Sequence, residues 1–152
     1  MSLGDEPIMS ATSHSWLVWA GLSALFAALT AIFAKVGVED IDSDLATLFR
    51  TLVVIIVLSL LLLGTGKLVL PASVNGRTWL FLILSGLGTG ASWLCYFRAL
   101  KLGEAARVAP VDKLSVVLIA LFGVTFLGER LSVGGWAGIL LIAAGAALVA
   151  VS

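Results

Sequence analysis

Five long apolar stretches, separated by short polar connections, constrain this chain more than any other feature. A helix needs about 20 mostly apolar residues to cross hydrocarbon. Five segments meet that length: Trp16 to about Lys35, about Leu45 to Leu63, Trp79 to about Leu100, about Val108 to Leu127, and about Val133 to Val151. The connections are Gly37 to Asp44, Gly64 to Thr78, Lys101 to Arg107, and Gly128 to Ser132. Backbone groups cannot go unpaired in lipid, so such runs span as helices. A β-barrel would alternate polar and apolar side chains, and these runs do not. The expected fold class is an all-α membrane protein with five transmembrane helices. Composition agrees: 61% of the residues are hydrophobic and 12% charged, against roughly 25% charged in soluble domains.

The first fifteen residues are polar, carry Asp5, Glu6 and Pro7, and lack the basic start of a signal peptide. They read as a flexible tail (1–15), with His14 a bystander, ahead of a membrane domain over 16–151. Trp16, Trp19, Trp79 and Trp136 sit near segment ends, as an interfacial aromatic belt requires. The formal net charge is zero, so no electrostatic case for nucleic acid arises. The single cysteine, Cys95, rules out an internal disulfide and a CxxC metal site. There is no HExxH, GxSxG or P-loop and no cofactor or metal motif, so an enzyme is not expected.

An odd number of spans places the two chain ends on opposite sides. We call the N-terminal side A and the other side B. Lys67, Arg77 and Arg130 lie near side A; Lys35, Arg98, Lys101 and Arg107 lie near side B. The Lys/Arg imbalance that orients membrane proteins is therefore almost absent. Either the rule is uninformative here or copies insert both ways.

Ionisable residues inside a membrane are expensive, and each one invites a functional explanation. Arg50 lies about 8 Å into the second segment at helical rise, and Asp112 and Lys113 lie at similar depth in the fourth. Lys35 and Arg98 are near enough to segment ends to snorkel. Asp112 is too short for that and Arg50 too deep, so an Arg50–Asp112 ion pair inside the bundle is expected. On the third segment Ser85, Thr89, Ser92 and Tyr96 follow spacings of four, three and four, hence share one face. That stripe, with Trp93 beside it, suits the lining of a hydrated cavity. Pro110 is either a plain helix start or an irregular stretch beside the cavity. The last segment carries Gly134, Gly138 and Gly145 with Ala143, Ala144, Ala146 and Ala147, a small-residue seam suited to close helix contact, read as a dimer seam.

The stretch Ser92-Trp93-Leu94-Cys95-Tyr96-Phe97-Arg98-Ala99-Leu100-Lys101-Leu102-Gly103 followed by Val108-Ala109-Pro110 resembles the third and fourth helices of the EamA branch of the drug/metabolite transporter superfamily. Phe126-Leu127-Gly128-Glu129-Arg130-Leu131-Ser132 looks like that family's loop before its last helix, and Trp136 to Gly145 is similar to its closing helix. The resemblance covers roughly Trp16 to Val151. Typical members have ten helices in two inverted halves, and this chain looks like a single five-helix half. The resemblance thus implies a dimer, most simply an antiparallel homodimer. It would work by alternating access in the cytoplasmic (inner) membrane and export a small-molecule metabolite. Small multidrug resistance proteins are similar in size, but their helix-one glutamate has no counterpart between Trp16 and Lys35. The cluster here is net positive instead, Arg50 and Lys113 against Asp112, which favours an anionic or zwitterionic solute. A lipid-linked carrier flippase subunit and a non-transporting membrane subunit are the alternatives.

Overall fold

The computed structural model describes residues 15–69 and 74–152. The tail expected over 1–15 lies outside the described residues, apart from Ser15. Six helices are described: α1 (Ser15–Gly37), α2 (Ser43–Gly64), α3 (Gly76–Leu102), α4 (Ala105–Asp112), α5 (Ser115–Phe126) and α6 (Val133–Val151). α4 and α5 together make one span, Ala105–Phe126, and all five spans are long and apolar enough to cross a bilayer. The chain is a multi-pass, all-α membrane protein.

The helices start where side chains can satisfy orphan amides. Asp42 accepts from the amides of Asp44 (2.9 Å) and Leu45 (3.2 Å), so α2 begins before the apolar run does. Asn75 accepts from the Arg77 amide at 3.1 Å and Ser132 from the Gly135 amide at 3.1 Å. The caps at Asp42 and Asn75 start α2 and α3 before the bounds that hydropathy alone gives, and the connection after α3 shrinks to Gly103 and Glu104. A Cβ on Gly103 would sit 3.2 Å from Val108 Cγ2, so this tight corner leaves little space for a side chain.

α5 ends with Gly128 in the left-handed region at φ +69°, and the Gly123 carbonyl accepts from both the Leu127 amide (3.1 Å) and the Glu129 amide (3.0 Å). Only glycine adopts that conformation cheaply, which gives the Leu127-Gly128-Glu129 motif its physical meaning.

α3 packs against α1, α2 and α4; α4 also packs on α1 and α6, and α5 on α6. The core lies at side B, where Ala34, Val38, Ala46, Phe97 and Leu100 meet. Small residues on α1 and α2 let the backbones approach closely there. Elsewhere the surface is apolar: no span buries more than 11% of its most apolar window. Such a surface suits lipid, whose tails are as apolar as leucine.

Candidate functional site

Polar ties close the side B end over this core. Arg98 grips Asp44 with two bonds, Nε to Oδ1 at 3.0 Å and Nη2 to Oδ2 at 2.6 Å. Lys35 Nζ donates to the carbonyls of Leu100 (2.8 Å) and Gly103 (3.1 Å), and Lys101 Nζ donates to the Ile41 carbonyl. Snorkelling was expected for Lys35 and Arg98, and both are tethered instead. The cause is local: the last carbonyls of a helix lack amide partners and attract cations, and Lys35 reaches those of α3. The cap by Asp42 brings Asp44 into the first turn of α2, opposite Arg98.

The fourth span breaks beside these ties. Pro110 lies six residues into α4, too deep to be a plain start signal. Without an N–H it cannot bond to the Ala106 carbonyl. Just beyond, amides reach back three residues rather than four: Leu114 to Val111 (3.0 Å), Val116 to Lys113 (3.0 Å) and Val117 to Leu114 (3.1 Å). Asp112 and Lys113 sit at this tightened, irregular point, where they leave the regular course of the helix.

A pocket of about 180 Å³ opens between α1, α2, α3 and α4, lined by Ala27, Thr30, Arg50, Ser92, Trp93, Tyr96, Asp112 and Lys113. Six residues expected from the sequence therefore come together: Arg50, Ser92, Trp93, Tyr96, Asp112 and Lys113. The pocket shares Thr30 and Arg50 with a cavity of about 530 Å³, Tyr96 and Lys113 with one of about 470 Å³, and Ser92, Tyr96 and Asp112 with one of about 380 Å³. Cys95 also lines the last of these. A small polar chamber thus stands where three larger, mostly apolar cavities meet.

The expected Arg50–Asp112 ion pair does not form. The Arg50 guanidinium carbon lies 3.8 Å from the centroid of the Trp93 ring and 5.4 Å from that of Phe97. Asp112 faces its neighbour Lys113 instead, Oδ2 to Nζ 3.4 Å. An aromatic floor can hold a desolvated guanidinium without a carboxylate, and Trp93 and Phe97 are four residues apart on the same face of α3.

Ser85 and Thr89 do not reach the pocket. Both are exposed, and Thr89 Oγ1 donates to the Ser85 carbonyl at 2.9 Å. The stripe on α3 is thus divided: its side B half lines the pocket and its side A half faces outward.

Thr30 was missed by the sequence reasoning. A helical threonine in lipid ordinarily donates to the carbonyl four residues back, as Thr47 (2.8 Å), Thr51 (2.7 Å) and Thr125 (2.7 Å) do. Thr30, Ser92 and Tyr96 make no side-chain hydrogen bond within the described residues, and neither does the Arg50 guanidinium. One signal was present: Thr30 follows the small residues Ala27 and Ala28 and precedes the buried Ala31 and Ala34, marking the closely packed face of α1.

The model of the EamA-like transporter family matches residues 14–151. The chain belongs to this family. A curated protein of Sinorhizobium sp described as an "Uncharacterized transporter in cobO 3'region" is 63% identical over 139 residues, covering 91% of this chain and 99% of that protein. No solved structure matches the chain. It is a membrane transporter of the drug/metabolite type, and the resemblance seen in the EamA motifs holds over the whole membrane domain. The seam glycines can now be placed on the structure: an added Cβ on Gly138 or Gly145 would meet nothing within 4 Å, and Gly134 approaches only Ser132 Oγ at 3.8 Å.

Proposed function

We propose that this EamA-family chain carries a small solute through the pocket beneath Arg50, acting as a transporter rather than an enzyme. It works as a homodimer in the cytoplasmic membrane. One observation carries the reading. In an otherwise apolar bundle, three hydroxyls and a guanidinium converge on one chamber and find no hydrogen-bond partner among the described residues. Unsatisfied polar groups at membrane depth are costly, and a passing hydrated solute relieves that cost. The tethers Arg98–Asp44, Lys35 and Lys101 hold side B shut in this conformation, and alternating access requires them to release while side A closes. Export is the direction that the family resemblance implies.

The open faces of Gly138 and Gly145 support a second copy seated on α6. Cross-linking tests its orientation. These glycines flank the middle of α6, so in an antiparallel pair Gly138→Cys of one copy joins Gly145→Cys of the other. In a parallel pair each position joins itself. Absence of every cross-link would remove α6 from the dimer contact. For transport, purified protein in liposomes is tested for counterflow across a metabolite panel from both membrane faces. No uptake of any solute would overturn the reading.

A further inference from the structure

We infer that the transported solute is a small monocarboxylate, held through its carboxylate by Arg50. The inference rests on the transport reading above and names the substrate class of that pocket. The charges in the chamber are Arg50, Asp112 and Lys113. Asp112 and Lys113 face each other at 3.4 Å and offset one another. One unbalanced positive charge remains, and it belongs to Arg50.

The arrangement of that guanidinium selects the shape of its partner. The guanidinium carbon lies 3.8 Å from the Trp93 ring centroid, too close for an N–H to stand between them, so the ion turns its flat face to the ring, with Phe97 farther along at 5.4 Å. Arginine N–H groups point outward in the plane of the ion, not through its face. The aromatic floor therefore takes the face and leaves the edge free, and none of the edge donors hydrogen-bonds to another described residue. A planar fork of donors matches the two oxygens of a carboxylate.

The rest of the chamber is neutral. Thr30, Ser92 and Tyr96 offer hydroxyls suited to a hydroxyl or keto oxygen on the carbon beside the carboxylate. An ammonium group would meet two cations and a carboxylate already paired with one of them, so the site disfavours amines and amino acids. The polar lining surrounds about 180 Å³, so a short-chain acid keeps all of its oxygens against these groups, whereas a longer chain places its tail in the adjoining apolar cavities.

The test is counterflow into liposomes containing the purified full chain. One set of probes is glycolate, lactate and pyruvate. The other is lactamide, alanine and ethanolamine at the same concentration. The expected result is uptake of at least one carboxylate at ten or more times the rate of lactamide and alanine. Arg50→Gln is expected to lower that uptake by about 10- to 100-fold, the loss of a charge-assisted hydrogen-bonded contact. If Arg50→Gln fails to fold, Arg50→Lys keeps the charge without the fork and is expected to bring carboxylate and amide rates closer together. Uptake of alanine, ethanolamine or lactamide ahead of the carboxylates would overturn the assignment while leaving the transport reading intact. Uptake of none of these probes, with other metabolites moving, would also overturn it. Uptake of nothing at all would overturn both.

Discussion

Replacing Trp93 with leucine removes the floor under Arg50, and the structure sets the size of the effect. Cation–π pairs contribute about 0.5–1 kcal/mol when exposed and about 2 kcal/mol or more when desolvated. Arg50 is half-buried, its carbon 3.8 Å from the ring centroid, and Phe97 adds a weaker second contact at 5.4 Å. Between those limits, about 1.5 kcal/mol is expected for the Arg50–Trp93 pair. A double-mutant cycle isolates it. The four proteins are wild type, Trp93→Leu, Arg50→Gln and the double variant, each unfolded reversibly in mixed micelles. The single changes also remove packing, but the coupling energy subtracts those losses. The expected outcome is a coupling of about 1–2 kcal/mol, with Trp93→Leu also weakening transport because Arg50 loses its fixed orientation. A coupling within the ~0.3–0.5 kcal/mol scatter of independent sites would mean that Arg50 does not rest on Trp93, and the geometry argued for the site would fall.

Leu100 is fully buried at the side B core, whereas Leu60 is 62% exposed toward lipid. Leu→Ala costs about 2.7–5.0 kcal/mol in a soluble core, of which about 2.4 kcal/mol is transfer of three carbons from water. Where hydrocarbon replaces water that share vanishes. Leu100→Ala is then expected to cost about 1.5 kcal/mol by unfolding in mixed micelles, the remaining cavity contribution, and Leu60→Ala almost nothing. Equal costs would show that the core is misplaced. Gly128 has φ +69°, so Gly128→Ala is expected to destabilise by about 1–2 kcal/mol; an unchanged stability would exclude the left-handed turn at Gly128. Pro110→Ala restores a donor for the Ala106 carbonyl and is expected to stabilise the fourth span while slowing transport. Unchanged transport in a stabilised variant would show that the break at Asp112 and Lys113 has no part in the cycle.

The five spans were legible in the sequence because lipid imposes a simple demand: about 20 apolar residues, all backbone groups paired internally. Their ends were less so, since Asp42 and Asn75 start α2 and α3 early by hydrogen bonds that hydropathy does not register. Depth could also be read, and it singled out Arg50, Asp112 and Lys113, which line one pocket in the fold. Pairing could not. Charge alone proposed Arg50 with Asp112, but sequence does not reveal that the face of α3 bearing Trp93 turns toward α2 while Lys113 stays beside Asp112. Periodicity placed Ser85, Thr89, Ser92 and Tyr96 on one face. It gave no information on how far along that face a neighbouring helix follows, so the outward Ser85 and Thr89 were grouped with residues they do not join. Thr30 was overlooked for the opposite reason: a threonine in an apolar run ordinarily bonds to its own helix, and only the fold shows that this one does not.

The central claim is that the chamber between α1 and α4 is a hydrated solute site, and thiol labelling tests it most directly. In a Cys95→Ala background, single cysteines are placed at Thr30 and Ser92, with Leu60→Cys as a lipid-facing control. A membrane-impermeant thiol reagent is expected to label both pocket positions, from one membrane face or the other, to leave the control unlabelled, and to stop transport as labelling proceeds. Pocket cysteines that react no faster than the control from either face would contradict the account.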